Sequence, residues 1–294
     1  MTDPTPPADP PPAPDALERN DVLSVAACPV PLPPAGQLEF LCRQEAVRFG
    51  HKDLSFDPDG GRLTGLKASH PGETRRLADI LGQFSADATA WVRRAFPAYA
   101  DGLARDRVTL RTAEEATRTL RLTARNDLLH IDNFPTRPAN GRRILRLLVN
   151  IHPTDPQVWA TAERFPQLLA RFAAVHRVPA RTAAEWVAPA QPVVRLFTGG
   201  RAGRSAYDAW MLRLHHFLKQ DEGFQAQAAR RVWTFPPGSM WALFADGVAH
   251  AALRGRYVLE HSFFVPVERL HLPDESPLAH LAAAGQGGAS RRAG

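Results

Sequence analysis

A chain of 294 residues with 44 % hydrophobic content is long enough to bury a sizeable core, as one large domain or two small ones. No apolar run approaches the ~20 residues a spanning helix needs, and no basic segment leads into an apolar one at the start, so neither a membrane span nor a secretory signal is expected. The formal charge of +6 is carried almost wholly by arginine, with Lys52, Lys67 and Lys219 the only lysines. Arginine forks suit carboxylates and phosphates, but no basic helix and no alternation of basic with aromatic residues marks a nucleic-acid surface. Cys28 and Cys42 are too few for a disulfide framework or a cysteine zinc site and suit a reducing cytoplasm.

Residues 1–20 are rich in proline (Pro4, Pro6, Pro7, Pro10, Pro11, Pro12, Pro14) and read as a disordered leader. Gln37 to Arg48 reads as a short helix or extended segment, and Asp57-Pro-Asp-Gly-Gly61 as a turn. Leu77, Ile80, Leu81, Phe84, Ala88, Trp91 and Val92 recur near 3.6 residues and predict an amphipathic helix from Thr74 to Phe96. Strands are expected at Thr119–Thr123, Leu128–Asp132 and Arg143–Ile151. Helical spacing returns at Val158–His176, Tyr207–Leu218 and Phe224–Arg231, and strands at Val232–Phe235, Met240–Phe244, Val248–Leu253 and Tyr257–Val265. Glycines at 285, 287 and 288 mark residues 281–294 as a disordered tail, leaving 21–280 as a single domain. This order of elements predicts a mainly β, α+β fold: an antiparallel jelly roll (double-stranded β-helix) with flanking helices and a helical insertion at 157–231.

The sharpest local feature is His130-Ile-Asp132. On an extended segment residues i and i+2 share a face, so the imidazole and the carboxylate can converge on one metal. Two His and one carboxylate leave three positions of an octahedron open, as Fe(II) requires when it binds a bidentate cosubstrate together with O2. With 11 histidines such a motif also arises by chance, so the second histidine matters. His250, in the small, apolar segment Phe244-Ala-Asp-Gly-Val-Ala-His250, fits best. His152 is a strand-end alternative, and His215-His216 sit on a predicted helix less suited to a barrel mouth. Roll-type 2-oxoglutarate enzymes place an arginine about ten residues past the distal histidine. Glu260 stands there, so another cation must serve. Arg146 is the first choice, because it shares a strand face with Ile144, Leu148 and Asn150 and a charge so placed is costly unless paired. Arg111 and Arg256 are the fallbacks.

The run His130-Ile-Asp-Asn-Phe-Pro-Thr-Arg-Pro138, then Gly141-Arg-Arg-Ile-Leu-Arg-Leu-Leu-Val-Asn-Ile-His-Pro153, resembles the 3-deoxy-D-manno-oct-2-ulosonic acid (Kdo) hydroxylases. So do Tyr207-Asp-Ala-Trp-Met-Leu-Arg-Leu-His-His-Phe-Leu-Lys219, the segment closing on His250, and Leu259-Glu-His-Ser-Phe-Phe-Val-Pro266. The resemblance implies His130, Asp132 and His250 as Fe(II) ligands and supports Arg146 as an anchor for 2-oxoglutarate, with Asn150, Arg111 and His261 as further cosubstrate candidates. His261 stands where glutamine is expected, His152 where asparagine is expected, and His215-His216 where one histidine is usual.

The implied reaction is O2-dependent hydroxylation at C3 of a Kdo residue in the inner core of lipopolysaccharide. It is coupled to conversion of 2-oxoglutarate to succinate and CO2. Arg137, Arg142 and Arg143 are candidates for the anions of Kdo-bearing lipid A. Such an enzyme would be cytoplasmic, with peripheral contact at the inner membrane. The competing readings are a 2-oxoglutarate oxygenase with another small molecule or peptide as substrate, and a non-catalytic jelly-roll module that binds an anionic sugar. No GxSxG elbow, HExxH, P-loop or Rossmann fingerprint supports a hydrolase or nucleotide enzyme.

Overall fold

The computed structural model describes residues 14–45, 53–66, 70–115, 120–189 and 204–290, with side chains to 286 in the last segment. Its helices are α1 (Pro14–Glu18), α2 (Ala35–Leu41), α3 (Pro71–Ala95), α4 (Phe165–Ala173), α5 (Ala183–Val187), α6 (Ala206–Gln220), α7 (Glu222–Gln227) and α8 (Pro277–Ser290). Its strands are β1 (Leu23–Val25), β2 (Leu54–Asp57), β3 (Arg62–Thr64), β4 (Ala104–Arg111), β5 (Arg143–Asn150), β6 (Gln157–Arg164), β7 (Arg231–Phe235), β8 (Met240–Phe244), β9 (Val248–Arg254) and β10 (Val258–Val265).

Two antiparallel sheets form a jelly-roll core that does not close into a barrel: β1-β8-β5-β10-β4-β2-β3 and β7-β6-β9. Leu148, Trp159, Trp241, Leu243 and Val248 pack between the sheets. The alternation that sends Leu148 to this inner face sends Leu145, Leu147 and Val149 to the outer one, against Leu77, Ile80, Leu81, Phe84 and Val92 of α3. The expected amphipathic helix is thus the lid of the main core. A third cluster joins Leu129, Ile131 and Ile144 to the helical insertion through Trp210, Met211 and Leu214 of α6.

Several expectations are corrected. Val158 begins no helix: β6 runs to Arg164 and α4 starts only at Phe165. Pro166 would break a helix spanning that range but is accepted in the first turn of one starting beside it. Leu122–Ala124 is a 3-10 turn rather than a strand, and Leu128–Asp132 is held by an isolated bridge from His130 to His250. Beyond Phe224, helix α7 ends at Gln227 and Arg231 already belongs to β7.

Parts of the segments expected to be leader and tail carry regular structure, in α1 (Pro14–Glu18) and α8 (Pro277–Ser290). Within the leader, Leu17 is buried, and the buried Glu18 carboxylate accepts from the Tyr99 hydroxyl at 2.6 Å and from the His271 and Leu272 amides. Residues 1–13 lie outside the described residues. The tail forms α8, with Leu281 fully buried in the insertion's core. Gly285, read from sequence as a disorder signal, permits close approach instead: a Cβ there would stand 2.5 Å from the Pro179 carbonyl.

Candidate metal centre

His130 and His250 face each other because their backbones exchange two hydrogen bonds, His130 N to His250 O at 3.1 Å and His250 N to His130 O at 2.9 Å. Asp132 is pinned two residues on by its amide, which donates to Ala245 O at 2.7 Å. All three side chains are buried, and one ligand atom from each lies within 4.8 Å of the others. His130 Nε2 is 3.7 Å from Asp132 Oδ1, and His250 Nε2 is 3.9 Å from Oδ2. His130 Nδ1 lies 2.7 Å from Leu128 O and His250 Nδ1 lies 3.0 Å from Val248 O. A carbonyl only accepts, so each Nδ1 carries the proton and each Nε2 lone pair faces the partners. This is the neutral tautomer that a metal requires.

Burial, with Lys219 and His250 nearby, holds the His130 imidazole well below the usual histidine range. Burial likewise lowers His250 and outweighs the opposing pull of Asp132. Burial raises Asp132, but Arg146 and the surrounding histidines prevail and keep its carboxyl ionised. Asp132 Oδ2 is buried without a hydrogen-bond partner. Two neutral imidazoles and an ionised carboxylate, one of whose oxygens makes no hydrogen bond, fit a divalent first-row metal.

The wall beside these three side chains comes from one face of three adjacent strands: Arg107, Thr109 and Arg111 of β4, Arg146 of β5, and Glu260 and Ser262 of β10. Glu260 organises this wall as an anion. Its Oε2 accepts from Arg111 Nε at 2.8 Å and lies 2.6 Å from Nη2, while Oε1 lies 2.5 Å from Arg146 Nη1. Arg146 Nε is 2.5 Å from Asp132 Oδ2, at an angle that makes an ion pair but no hydrogen bond. Arg111 Nη1 has no hydrogen-bond partner and lies 3.9 Å from Glu115. Trp159 is stacked between two of these groups, its ring 6.0 Å from that of His250 and 5.6 Å from the Arg111 guanidinium. The cavity that this strand wall lines, of about 350 Å³, is also bordered by His215, His216 and Lys219 of α6.

Of the cosubstrate candidates, Arg146 and Arg111 are here and two are not. His261 is one residue off the inward register, so its ring enters the α3 core, with Nε2 2.8 Å from Ser85 Oγ. Asn150 ends β5 and shapes the turn into β6 by donating to Asp155 O and Phe235 O. Of the substrate candidates only Arg137 borders the cavity, paired to Asp106 and stacked on Phe134. Arg142 lies over Phe264, away from the lining. Arg143 is fully buried on the opposite face, bound to Asp246 at 2.9 Å and Asn20 at 2.5 Å. His152 accepts from the Thr154 and Asp155 amides and stacks on Tyr257, and Arg256 lies over the same ring. Sequence reasoning set aside His215 and missed Trp159 and Lys219. Trp159 was hidden by the helical reading of its segment.

The model of the 3-deoxy-D-manno-oct-2-ulosonic acid (Kdo) hydroxylase family matches residues 7–287. No curated protein matches the chain. Among solved structures, the Kdo hydroxylase KdoO, a non-haem Fe(II) α-ketoglutarate-dependent dioxygenase, in complex with cobalt(II) is 30 % identical, with 92 % of this chain and 88 % of that chain covered and a TM-score of 0.79. KdoO in complex with α-ketoglutarate and Fe(III) is also 30 % identical, covering 92 % and 87 % at a TM-score of 0.77.

Proposed function

The chain belongs to the Kdo hydroxylase family, a non-haem Fe(II)- and 2-oxoglutarate-dependent dioxygenase by kind, and on that premise we propose its ligands, its anchors and its site of hydroxylation. His130, Asp132 and His250 hold Fe(II), and Arg111 and Arg146 receive 2-oxoglutarate. The position hydroxylated is C3 of a Kdo residue in the inner core of lipopolysaccharide. The observation that carries this reading is the convergence of three buried ligand atoms within 4.8 Å, with both imidazoles presenting Nε2 and Asp132 Oδ2 left without a hydrogen bond.

Fe(II) with 2-oxoglutarate and O2 supplies the oxidising power for C–H hydroxylation and gives succinate and CO2 as co-products. The protein's own part is placement. The His130–His250 backbone bridge fixes the spacing of the imidazoles, and the carbonyls of Leu128 and Val248 fix their tautomers. Glu260 ties the two arginines together, so an anion entering the cavity meets guanidiniums already aimed. Trp159 shields His250 and Arg111 from water.

The structure of Kdo supports the site of attack: its 3-deoxy carbon is a methylene that carries no hydroxyl. No helix among the described residues is long and apolar enough to cross a membrane. The proposed enzyme works in the cytoplasm and meets lipid A-linked substrate peripherally at the inner membrane. An intact ligand set favours catalysis over a binding-only module. The direct test is anaerobic titration of 2-oxoglutarate with and without Fe(II). Wild-type protein should bind it in an Fe(II)-dependent manner, and Asp132→Ala should not. Equal binding by both proteins would overturn the ligand assignment.

A further inference from the structure

Resting on that functional reading, we infer that the 3-10 turn Leu122–Ala124, with Arg121 at its start, is the part of the cavity rim that meets an anionic lipid surface. Leu122 enters the boundary between headgroups and acyl chains, and Arg121 pairs with lipid phosphate. The cavity then opens directly on the bilayer that carries its substrate.

The first consideration is how the substrate is attached. A Kdo residue of the inner core is joined to lipid A, whose acyl chains stay in the bilayer. His130 and Asp132 line the cavity and are 4 % and 5 % exposed, so a sugar carbon that reaches them draws the lipid up to the mouth. The residues that form that mouth must therefore accommodate a membrane surface.

Arg121, Thr123 and Ala124 line the same cavity as His130 and Asp132, while Leu122 among them does not. Leu122 is turned to solvent instead, 45 % exposed. Among the described residues, the other exposed large hydrophobic side chains are Val175 and Val232, and neither borders the cavity. A single exposed leucine is ordinary on a protein surface. What sets Leu122 apart is its company. Arg121 before it is exposed, and Arg125, three residues after it, is 39 % exposed at its side chain and paired with Asp127. An apolar side chain set among guanidiniums is the composition of an interfacial contact: the apolar group enters the headgroup boundary and the cations meet its anions.

The charge of the cavity has the sign that such a surface needs. Its lining carries six cationic side chains, from Arg107 on β4 to Lys219 on α6, against the carboxylates of Asp53, Asp132 and Glu260. Arg204, just before α6, is exposed and donates at 2.6 Å to the carbonyl of Pro135, another lining residue. This excess of positive charge favours an anionic leaflet over a neutral one. A zwitterionic surface would gain the Leu122 contact and little else.

The test is flotation of the anaerobic Fe(II)- and 2-oxoglutarate-loaded protein with vesicles of mixed phosphatidylglycerol and phosphatidylcholine, or of phosphatidylcholine alone. Beside it, hydroxylation is measured on a soluble Kdo methyl glycoside and on Kdo-bearing lipid A in vesicles. Wild type should partition to the anionic vesicles and far less to the neutral ones. Leu122→Ser and Arg121→Gln should each weaken that partition roughly fivefold. Added salt should remove the Arg121 share and spare that of Leu122. Val175→Ser, at a more exposed apolar side chain, should leave the partition unchanged. Leu122→Ser should raise KM for lipid A in vesicles and leave that for the soluble glycoside as in wild type. A wild type that hydroxylates the glycoside but floats with neither vesicle, or with both equally, would overturn the inference and leave the function standing. Equal losses in Leu122→Ser and Val175→Ser would overturn it too. A wild type that hydroxylates neither Kdo compound would overturn the functional reading on which the inference rests.

Discussion

Replacing Glu260 by glutamine isolates the group that holds the two cavity arginines. The carboxylate lies 2.8 and 2.6 Å from Arg111 Nε and Nη2 and 2.5 Å from Arg146 Nη1, and its side chain is 4 % exposed. The amide keeps the volume but removes the charge, leaving two guanidiniums to share Asp132 and Glu115. Breaking a buried ion pair costs about 3–5 kcal/mol. The loss of two contacts does not double this, because Arg146 keeps Asp132 and Arg111 keeps Glu115 and the Trp159 face. At about 2–4 °C per kcal/mol, the melting temperature should fall by roughly 10 °C.

The pH dependence of this effect has a definite sign. Burial raises the Glu260 carboxyl, but Arg111 and Arg146 outweigh it and hold it below the usual range. Its folded pKa therefore lies below the unfolded value of about 4.3. Its stabilisation is complete above that value and is lost as pH falls through the folded pKa. Urea unfolding of wild type and Glu260→Gln should show the full gap at neutral pH and a closing gap in acid. A neutral-pH gap under about 1 kcal/mol, or one that does not change with pH, would refute the reasoning.

Three further outcomes follow from the packing. Arg143→Ala should destabilise by about 3–5 kcal/mol in urea unfolding, because it strands the buried Asp246, while leaving the KM for sugar substrate unchanged. Leu281→Ala should cost about 2–5 kcal/mol by the same assay if α8 belongs to the core, and a cost near zero would return these residues to a loose tail. Ser85→Ala, which removes the partner of His261, should cost about 1 kcal/mol without changing 2-oxoglutarate affinity. Weakened cosubstrate binding there would contradict the outward placement of His261.

What sequence made legible, and what it did not, divides along physical lines. Periodicity exposed α3 and the strand from Arg143, because each buries a continuous apolar face. His130-Ile-Asp132 was visible because a two-residue spacing already places both groups on one side of an extended segment. Position along a strand did not reveal which face each residue takes. Arg143 and His261 carry polar chemistry but fall on the register that points away from the cavity. The joint role of Glu260 and Arg111 depends on two strands meeting side by side, which no local pattern encodes. Trp159 was lost because its segment satisfies a helical count of apolar residues. Only the proline after Phe165 and the β-branched Val158 and Thr161 argue for a strand. His215 was discounted for lying on a helix, yet that helix packs across the cavity and brings it to the proposed ligands.

The central claim is coupled hydroxylation of Kdo at a centre built from His130, Asp132 and His250. Its most direct test is the stoichiometry of succinate to hydroxylated Kdo in the anaerobically reconstituted Fe(II) protein on admission of O2, with Kdo-bearing lipid A, beside His130→Ala. One hydroxylated product should form per succinate, with the oxygen on the former methylene and neither product in the variant. Succinate formed without hydroxylated Kdo, or turnover that survives the loss of His130, would contradict it.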